Sequence, residues 1–339
     1  MPRDSRKTGN RKKTWRVLFT CIGRRVELVQ AFRDAGRRLG QKVVIYGTDI
    51  SWLAPAMHVV DHPVQVPPIK SPHYIPFLLQ LVKKDRIDLV VPTIDSDLFK
   101  LSAARKKFEK ARSQILVSPP ETIEACQDKI KTFKVLTDAG IPTPSTRTYD
   151  VFRKKRNLRF PYFMKPRFGS AGLGTQRIDS PTQLRAVAPL VHEPIIQEFV
   201  DGVEHTLDVY LGLEGVVRCV VPRRRIDVRW GEVAKGQTVK DPNLMATGRR
   251  VAQTLTGPIG VWTVQTIRDK KGRILVIEIN PRFGGGVPLS IAAGAHFPKW
   301  LLSELQGRRP RITFDGFTDG MQMLRYDQSV FGVNLGNDQ

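Results

Sequence analysis

The chain has 339 residues, 41% of them hydrophobic, and a formal net charge of +23, which suits a protein of two or three lobes. No apolar run approaches the ~20 residues of a membrane span, the basic N-terminus lacks the apolar core of a secretory signal, and Cys21, Cys126 and Cys219 are too scattered for a disulfide framework or a zinc site; the expectation is a cytoplasmic protein with reduced thiols. The positive charge is spread along the chain without an aromatic-basic recognition motif, which argues against nucleic acid and leaves a highly charged small molecule as one explanation.

Residues 1–15 offer almost nothing to bury and are expected to form a disordered basic tail. Residues 17–21 read as a buried strand, Gly23 as its turn, 26–35 as a helix with Val26, Val29 and Phe32 on one face, and 42–46 as a second strand. A helix over 74–84, a strand over 88–91, a basic helix over 96–112 and a strand over 114–117 continue the alternation. That alternation is the signature of a parallel sheet covered by helices. The single Gly23 is no dinucleotide fingerprint. After Pro119-Pro120, residues 121–139 read as one helix closed by Gly140, and its Asp128, Lys129, Lys131 and Lys134 are on their own ordinary solvated charges.

Residues 161–167 read as a strand with Lys165 among apolar neighbours, followed by Gly169-Ser170-Ala171-Gly172-Leu173-Gly174. These glycines are spaced so that backbone N–H groups can wrap a phosphate. The spacing is neither a Walker loop nor a Rossmann turn, and a flexible hairpin is the plainer reading. A lysine just ahead of a glycine-rich loop between two strands, the second at 175–178, favours a mobile phosphate lid. A helix over 181–191 and a strand over 195–200 lead through Asp201-Gly202 to a strand alternating Glu204, Thr206 and Asp208 against Leu207 and Val209. A purine could pair with backbone at that strand-to-linker turn and a nearby carboxylate could take ribose hydroxyls; taken alone, the alternation is an amphipathic strand.

A strand over 216–221 ends in Pro222 and the run Arg223, Arg224, Arg225, which is either surface charge or an anion clamp. Residues 241–255 read as a helix, 260–267 as a strand ending near Gln265, and Lys270-Lys271-Gly272 as a hairpin turn into I-L-V-I-E-I-N-P-R-F-G-G-G at 274–286. Side chains two apart on a strand share a face, so Glu278 and Asn280 present two oxygens roughly 7 Å apart at the backbone. Gln265 on the neighbouring strand can add a third, and hard oxygen ligands suit magnesium. Arg282 puts a cation beside them, and the three glycines let the backbone approach a ligand. A helix over 287–305 closes the fold.

In this order, Asp128-Lys129, Lys165 with G-S-A-G-L-G, Q-E-F-V-D-G-V-E, Gln265 and E-I-N-P-R, the motifs resemble the ATP-grasp superfamily, most closely the single modules related to carbamoyl phosphate synthetase large-subunit halves. The resemblance covers residues 16–325. It implies an α/β protein: a parallel-sheet, Rossmann-like pre-ATP-grasp domain over 16–120, a two-lobed α+β ATP-grasp domain over 121–327 (lid lobe about 145–200, metal-binding lobe about 201–327) and a tail over 328–339. It further implies Lys129, Lys165 and the lid residues Gly169, Ser170, Gly172 and Gly174 on the nucleotide phosphates, Glu198 and Val200 as backbone contacts to adenine, and Glu204 on the ribose. Gln265, Glu278 and Asn280 would be magnesium ligands, with manganese as a substitute, and Arg282 would hold the transferring phosphoryl group. Arg223, Arg224 and Arg225 are candidates to hold the acid, Arg225 first among them because its side chain alternates with that of Arg224. The implied activity is an ATP-dependent, ADP-forming ligase joining a small carboxylate to an amine, with a homodimer as one expected assembly; a non-catalytic nucleotide-binding regulator is the alternative. The synthetase has a serine-rich segment where this chain has Phe283-Gly284-Gly285-Gly286, so its substrates do not transfer.

Overall fold

The computed structural model describes residues 13–155, 157–169, 172–229, 231–333 and 335. Five strands, β1 (Thr14–Thr20), β2 (Lys42–Asp49), β3 (His62–Gln65), β4 (Leu89–Pro92) and β5 (Gln114–Ile115), form a wholly parallel sheet in the order β3-β2-β1-β4-β5. Helices α1 (Val26–Arg38), α2 (Tyr74–Asp85), α3 (Leu98–Ala103) and α4 (Arg105–Lys110) belong to the same layer system. The central strands β1 and β4 carry unbroken apolar runs because helices cover both of their faces. Strand order reverses between β1 and β4, so the loops leaving their carboxyl ends, residues 21–25 and 93–97, flank a crevice.

The chain then runs through α5 (Pro120–Gln127) and α6 (Lys129–Asp138) into a four-stranded antiparallel sheet of β6 (Thr146–Thr148), β7 (Tyr162–Pro166), β8 (Gln176–Ile178) and β9 (Pro194–Glu198), ordered β6-β9-β7-β8. Its apolar face, with Met164, Ile178 and Ile196, packs on α7 (Tyr149–Phe152) and α8 (Pro181–Val187). A larger antiparallel sheet follows: β10 (Gly202–Gly212), β11 (Cys219–Arg229), β12 (Glu232–Thr238), β13 (Gly260–Asp269), β14 (Ile274–Asn280) and β15 (Gln322–Leu324), ordered β14-β13-β10-β11-β12-β15. Helices α9 (Pro242–Thr254), α10 (Val287–Ala292) and α11 (Phe297–Glu304) complete it. Helix α1 joins the two parts: Leu28, Val29, Phe32 and Ala35 lie three or four residues apart on its buried stripe, in one apolar cluster with Phe283, Phe297 and Leu301. Phe32 meets Phe283 edge-on at 6.0 Å between ring centroids. That packing fixes the crevice of the first sheet against the end of β14.

Several expectations need correction. The helix over 121–139 is two, because buried Asp128 caps α6, accepting from the Ile130 and Lys131 amides with an extended backbone of its own. The basic helix over 96–112 breaks at Ala104, and the closing helix over 287–305 breaks at Gly294, whose φ of +109° no helix accommodates. Arg223, Arg224 and Arg225 do not end a strand: β11 continues to Arg229 and pairs back onto β12, which the sequence reading left out along with the edge strands β3 and β15. Of the expected tail, residues 1–12 lie outside the described residues, but Thr14 and Trp15 belong to β1. Trp15 is 2% exposed and donates its Nε1–H to Gln41 at 2.7 Å.

Trp15→Ala should therefore cost about 3–5 kcal/mol, read as a lowered denaturation midpoint in a chemical melt; an unchanged midpoint would show that β1 begins later than described.

Candidate active site

The two antiparallel sheets and the crevice of the first sheet enclose a cavity of ≈ 560 Å³. Its floor is a cross-strand row. Glu278 on β14 lies opposite Gln265 on β13, Gln265 opposite Thr206 on β10, and Thr206 opposite Arg223 on β11. A second row sets Asn280 opposite Thr263, and Thr263 opposite Asp208. Paired residues in antiparallel strands share a face. The expected adjacency of Gln265 and Glu278 is thus a register pair, and Asn280 faces the same cavity despite a bulge in β14 beside Glu278.

Of the residues singled out from sequence, Lys129, Lys165, Gly169, Gly172, Glu204, Arg225, Gln265, Glu278, Asn280 and Arg282 line this one cavity. Gly174 lies between two lining residues, Leu173 and Thr175, and Ser170 lies outside the described residues. Glu198 and Val200 are not in the wall, and the Glu198 N–H is already given to the Ser145 carbonyl at 2.9 Å. The Gly loop is shaped as its composition suggests: Gly169, Gly172 and Gly174 all have positive φ. Lys129 ties it down from α6, donating Nζ–H to the Gly169 carbonyl at 2.8 Å. Arg167 reaches back to clasp Asp128 with Nε and Nη2 at 2.9 and 2.6 Å. Burial alone would raise the Asp128 carboxyl, but Arg167 and the α6 amides hold it below the usual carboxylate range.

Charge in the cavity is unbalanced. Lys165 is 6% exposed, and burial drags its ammonium from 10.5 down to about 8, with Glu278 opposing the shift and Lys129 adding to it. Lys129 is lowered by burial as well, although Glu278, Asp95 and Asp128 pull the other way. Arg282 is bound by Asp95, which arrives from the loop after β4. Arg25, from the loop after β1, pairs with Glu232 at 2.8 Å, and Arg325 pairs with the same carboxylate at 3.2 Å. Among the described residues nothing hydrogen-bonds to or ion-pairs with the side chains of Gln265, Glu278 or Asn280. One carboxylate and two amide oxygens left open beside three cations are a donor set that fits magnesium carrying phosphate.

Sequence reasoning missed Arg24, Arg25, Asp95, Thr206, Thr263 and Glu232 in the wall. A signal existed for the first three, since they follow β1 and β4 at the point where strand order reverses. The glycines at 284–286 also needed correction. A Cβ on Gly284 would collide with Thr263, on Gly285 with Glu232 and Arg25, and on Gly286 with the Arg223 guanidinium. They make room first for the protein's own polar side chains.

Comparison with known proteins agrees with this geometry. Residues 17–116 match the family model "PylC-like, N-terminal domain" and residues 126–286 match "ATP-grasp domain". The chain carries a PylC-like N-terminal domain over 17–116 and an ATP-grasp domain over 126–286. It is 25% identical over 322 residues to the 3-methyl-D-ornithine–L-lysine ligase of Methanosarcina barkeri, covering 90% of this chain and 78% of that one. It is 27% identical over 242 residues to the carbamoyl phosphate synthase large chain of Thermotoga neapolitana, covering 62% of this chain but only 22% of the relative's length. Among solved structures, the biotin carboxylase domain dimer of Hydrogenobacter thermophilus 2-oxoglutarate carboxylase, in complex with MgADP, ADP and bicarbonate, superposes with a TM-score of 0.72 at 16% identity, covering 91% of this chain and 74% of that one. Among the described residues no helix is long and apolar enough to cross a membrane.

Lys165 gives the site a measurable pH signature. Because folding lowers its pKa, the penalty on the folded state is complete below about pH 8 and disappears as pH rises through 10.5. At pH 7 that penalty is about 3 kcal/mol. Lys165→Met should therefore be more stable than the parent at pH 7 in chelator and without nucleotide, and this advantage should shrink toward pH 10. A variant less stable at pH 7 would contradict the buried, unbalanced charge.

Proposed function

We propose that this chain is an ADP-forming ligase that phosphorylates a small carboxylate with ATP and passes the acyl group to an amine. The observation that supports it most is the row of open oxygens on Gln265, Glu278 and Asn280 facing buried Lys165, with Lys129 and Arg282 in the same cavity. A protein that only bound a nucleoside would have no use for so much uncompensated charge around one carboxylate. The named relative that the chain covers most fully is itself a ligase.

In this reading Gln265, Glu278 and Asn280 hold magnesium, which when bound neutralises the β- and γ-phosphate oxygens. Lys165 and Lys129 donate to those phosphates, and the loop around Gly169 and Gly172 covers them. Glu204, 3.4 Å from Arg225, is the ribose ligand. Adenine is assigned to the backbone of Glu198 and Val200, which lie outside the cavity wall and where the Glu198 N–H is already given to Ser145. Arg225 contributes to holding the acid. A carboxylate oxygen attacks the γ-phosphorus as the bond to ADP breaks, giving an acylphosphate; the amine then attacks the acyl carbon, phosphate departs with that oxygen, and the amine loses a proton. Arg282 exchanges Asp95 for the phosphoryl oxygens, so its charge is available only once an anion has arrived.

Glu278→Ala should reduce turnover by at least a thousandfold while the protein keeps its unfolding midpoint within a few degrees, and Arg282→Ala should lose at least a hundredfold. Chromatography of labelled ATP turned over with mixed acids and amines should give ADP and phosphate. AMP with pyrophosphate, or Glu278→Ala with near-normal turnover, would overturn the mechanism, and ADP binding without turnover on any acid–amine pair would leave a regulatory binder instead.

A further inference from the structure

One cation in the cavity wall is not explained by phosphate. Arg223 is 1% exposed, and its Nε and Nη2 donate to Asp208 at 2.7 and 2.9 Å. Asp208 is held in turn by the hydroxyls of Ser290 at 2.6 Å and Thr263 at 3.3 Å. The guanidinium plane is thereby fixed, and its third nitrogen, Nη1, has no hydrogen-bond partner among the described residues. Nη1 lies against Gly286, which lines the cavity beside it, and any side chain there would collide with it. A charged donor buried without a partner is costly, and one held by an ion pair behind a glycine of a cavity wall is a candidate receptor for an anion.

Register separates this receptor from the phosphate end. Arg223 stands three strands from Glu278 along the row Glu278, Gln265, Thr206, Arg223, about 14 Å at the backbone. Arg225, two residues on along β11, also lines the cavity, with its Nε 3.4 Å from Glu204 Oε2. The acidic groups nearby are already engaged: Asp208 by Arg223, Glu232 by Arg25 and Arg325, and Glu204 by Arg225. This end of the cavity therefore offers donors and no open carboxylate, which suits a second negative charge and does not suit an ammonium.

We propose that Arg223 Nη1, positioned by Asp208, receives a second anionic group on the acid substrate, so that the acid is a dicarboxylate and not a simple monocarboxylate. This rests on the ligase reading for the identity of the reacting end, whereas the receptor itself is tested by binding alone. Calorimetric titration of the MgADP-loaded protein with succinate, glutarate and adipate, each against the monocarboxylate of equal length, should show the best dianion binding at least tenfold tighter than its partner. Arg223→Lys keeps an ion pair to Asp208 but removes the extra donor, and should erase that preference. Gly286→Ala, whose Cβ would fall on Nη1 and force the guanidinium or the turn to shift, should do the same. MgADP titration of each variant shows whether the fold survives, and Arg225→Gln, expected to weaken the preference, serves if neither of the others folds. Equal affinities for dianion and monoanion, no dianion binding by protein that binds MgADP, or a preference that survives in a folded Arg223→Lys or Gly286→Ala would overturn the proposal and leave Nη1 to water. Failure of the ligase reading would appear differently, as absent turnover with dianion binding intact.

Discussion

The site depends on an electrostatic imbalance that the fold holds open. Lys165 is buried where its charged form is disfavoured, Lys129 stands next to it, and Glu278 is the carboxylate that opposes both. In the proposed reading a metal-bound polyphosphate supplies the missing negative charge. The surrounding structure keeps the cluster from collapsing on itself. Asp128 and Arg167 anchor the start of α6 to the end of β7, Lys129 anchors the Gly loop, and Asp95 holds Arg282 from the opposite wall.

Two kinds of order bring these groups together. The long sheet works by register: one row carries Glu278, Gln265, Thr206 and Arg223, so residues 72 positions apart in sequence become neighbours or near neighbours. The parallel sheet works by topology, delivering Arg25 and Asp95 from the two loops at its reversal point. Burial of Phe32 against Phe283 locks one arrangement to the other. Loss of that contact would be felt at Arg282, one residue before Phe283.

What the sequence disclosed was local. The β13–β14 hairpin has a turn of Lys270-Lys271-Gly272 and a clean apolar run, so the pairing of Gln265 with Glu278 could be read from a few residues. The Gly loop announced itself by composition. The cap at Asp128 was hidden because its backbone amides look like a continuing helix in sequence, and its partner Arg167 lies 39 residues away. Arg223 was readable as surface charge or an anion clamp, but the sequence could not choose between them, since its orientation is set by Asp208 on β10 and by Gly286 and Ser290 at the start of α10. Trp15 was obscured by its basic neighbours, although its indole is buried.

The central claim is that a carboxylate oxygen of the acid attacks the terminal phosphate. Turnover with an acid carrying ¹⁸O in its reacting carboxylate, followed by mass analysis of the products, tests it most directly. The account predicts one labelled oxygen in each inorganic phosphate released and none in ADP. Phosphate that carries no label while amide is formed would contradict it.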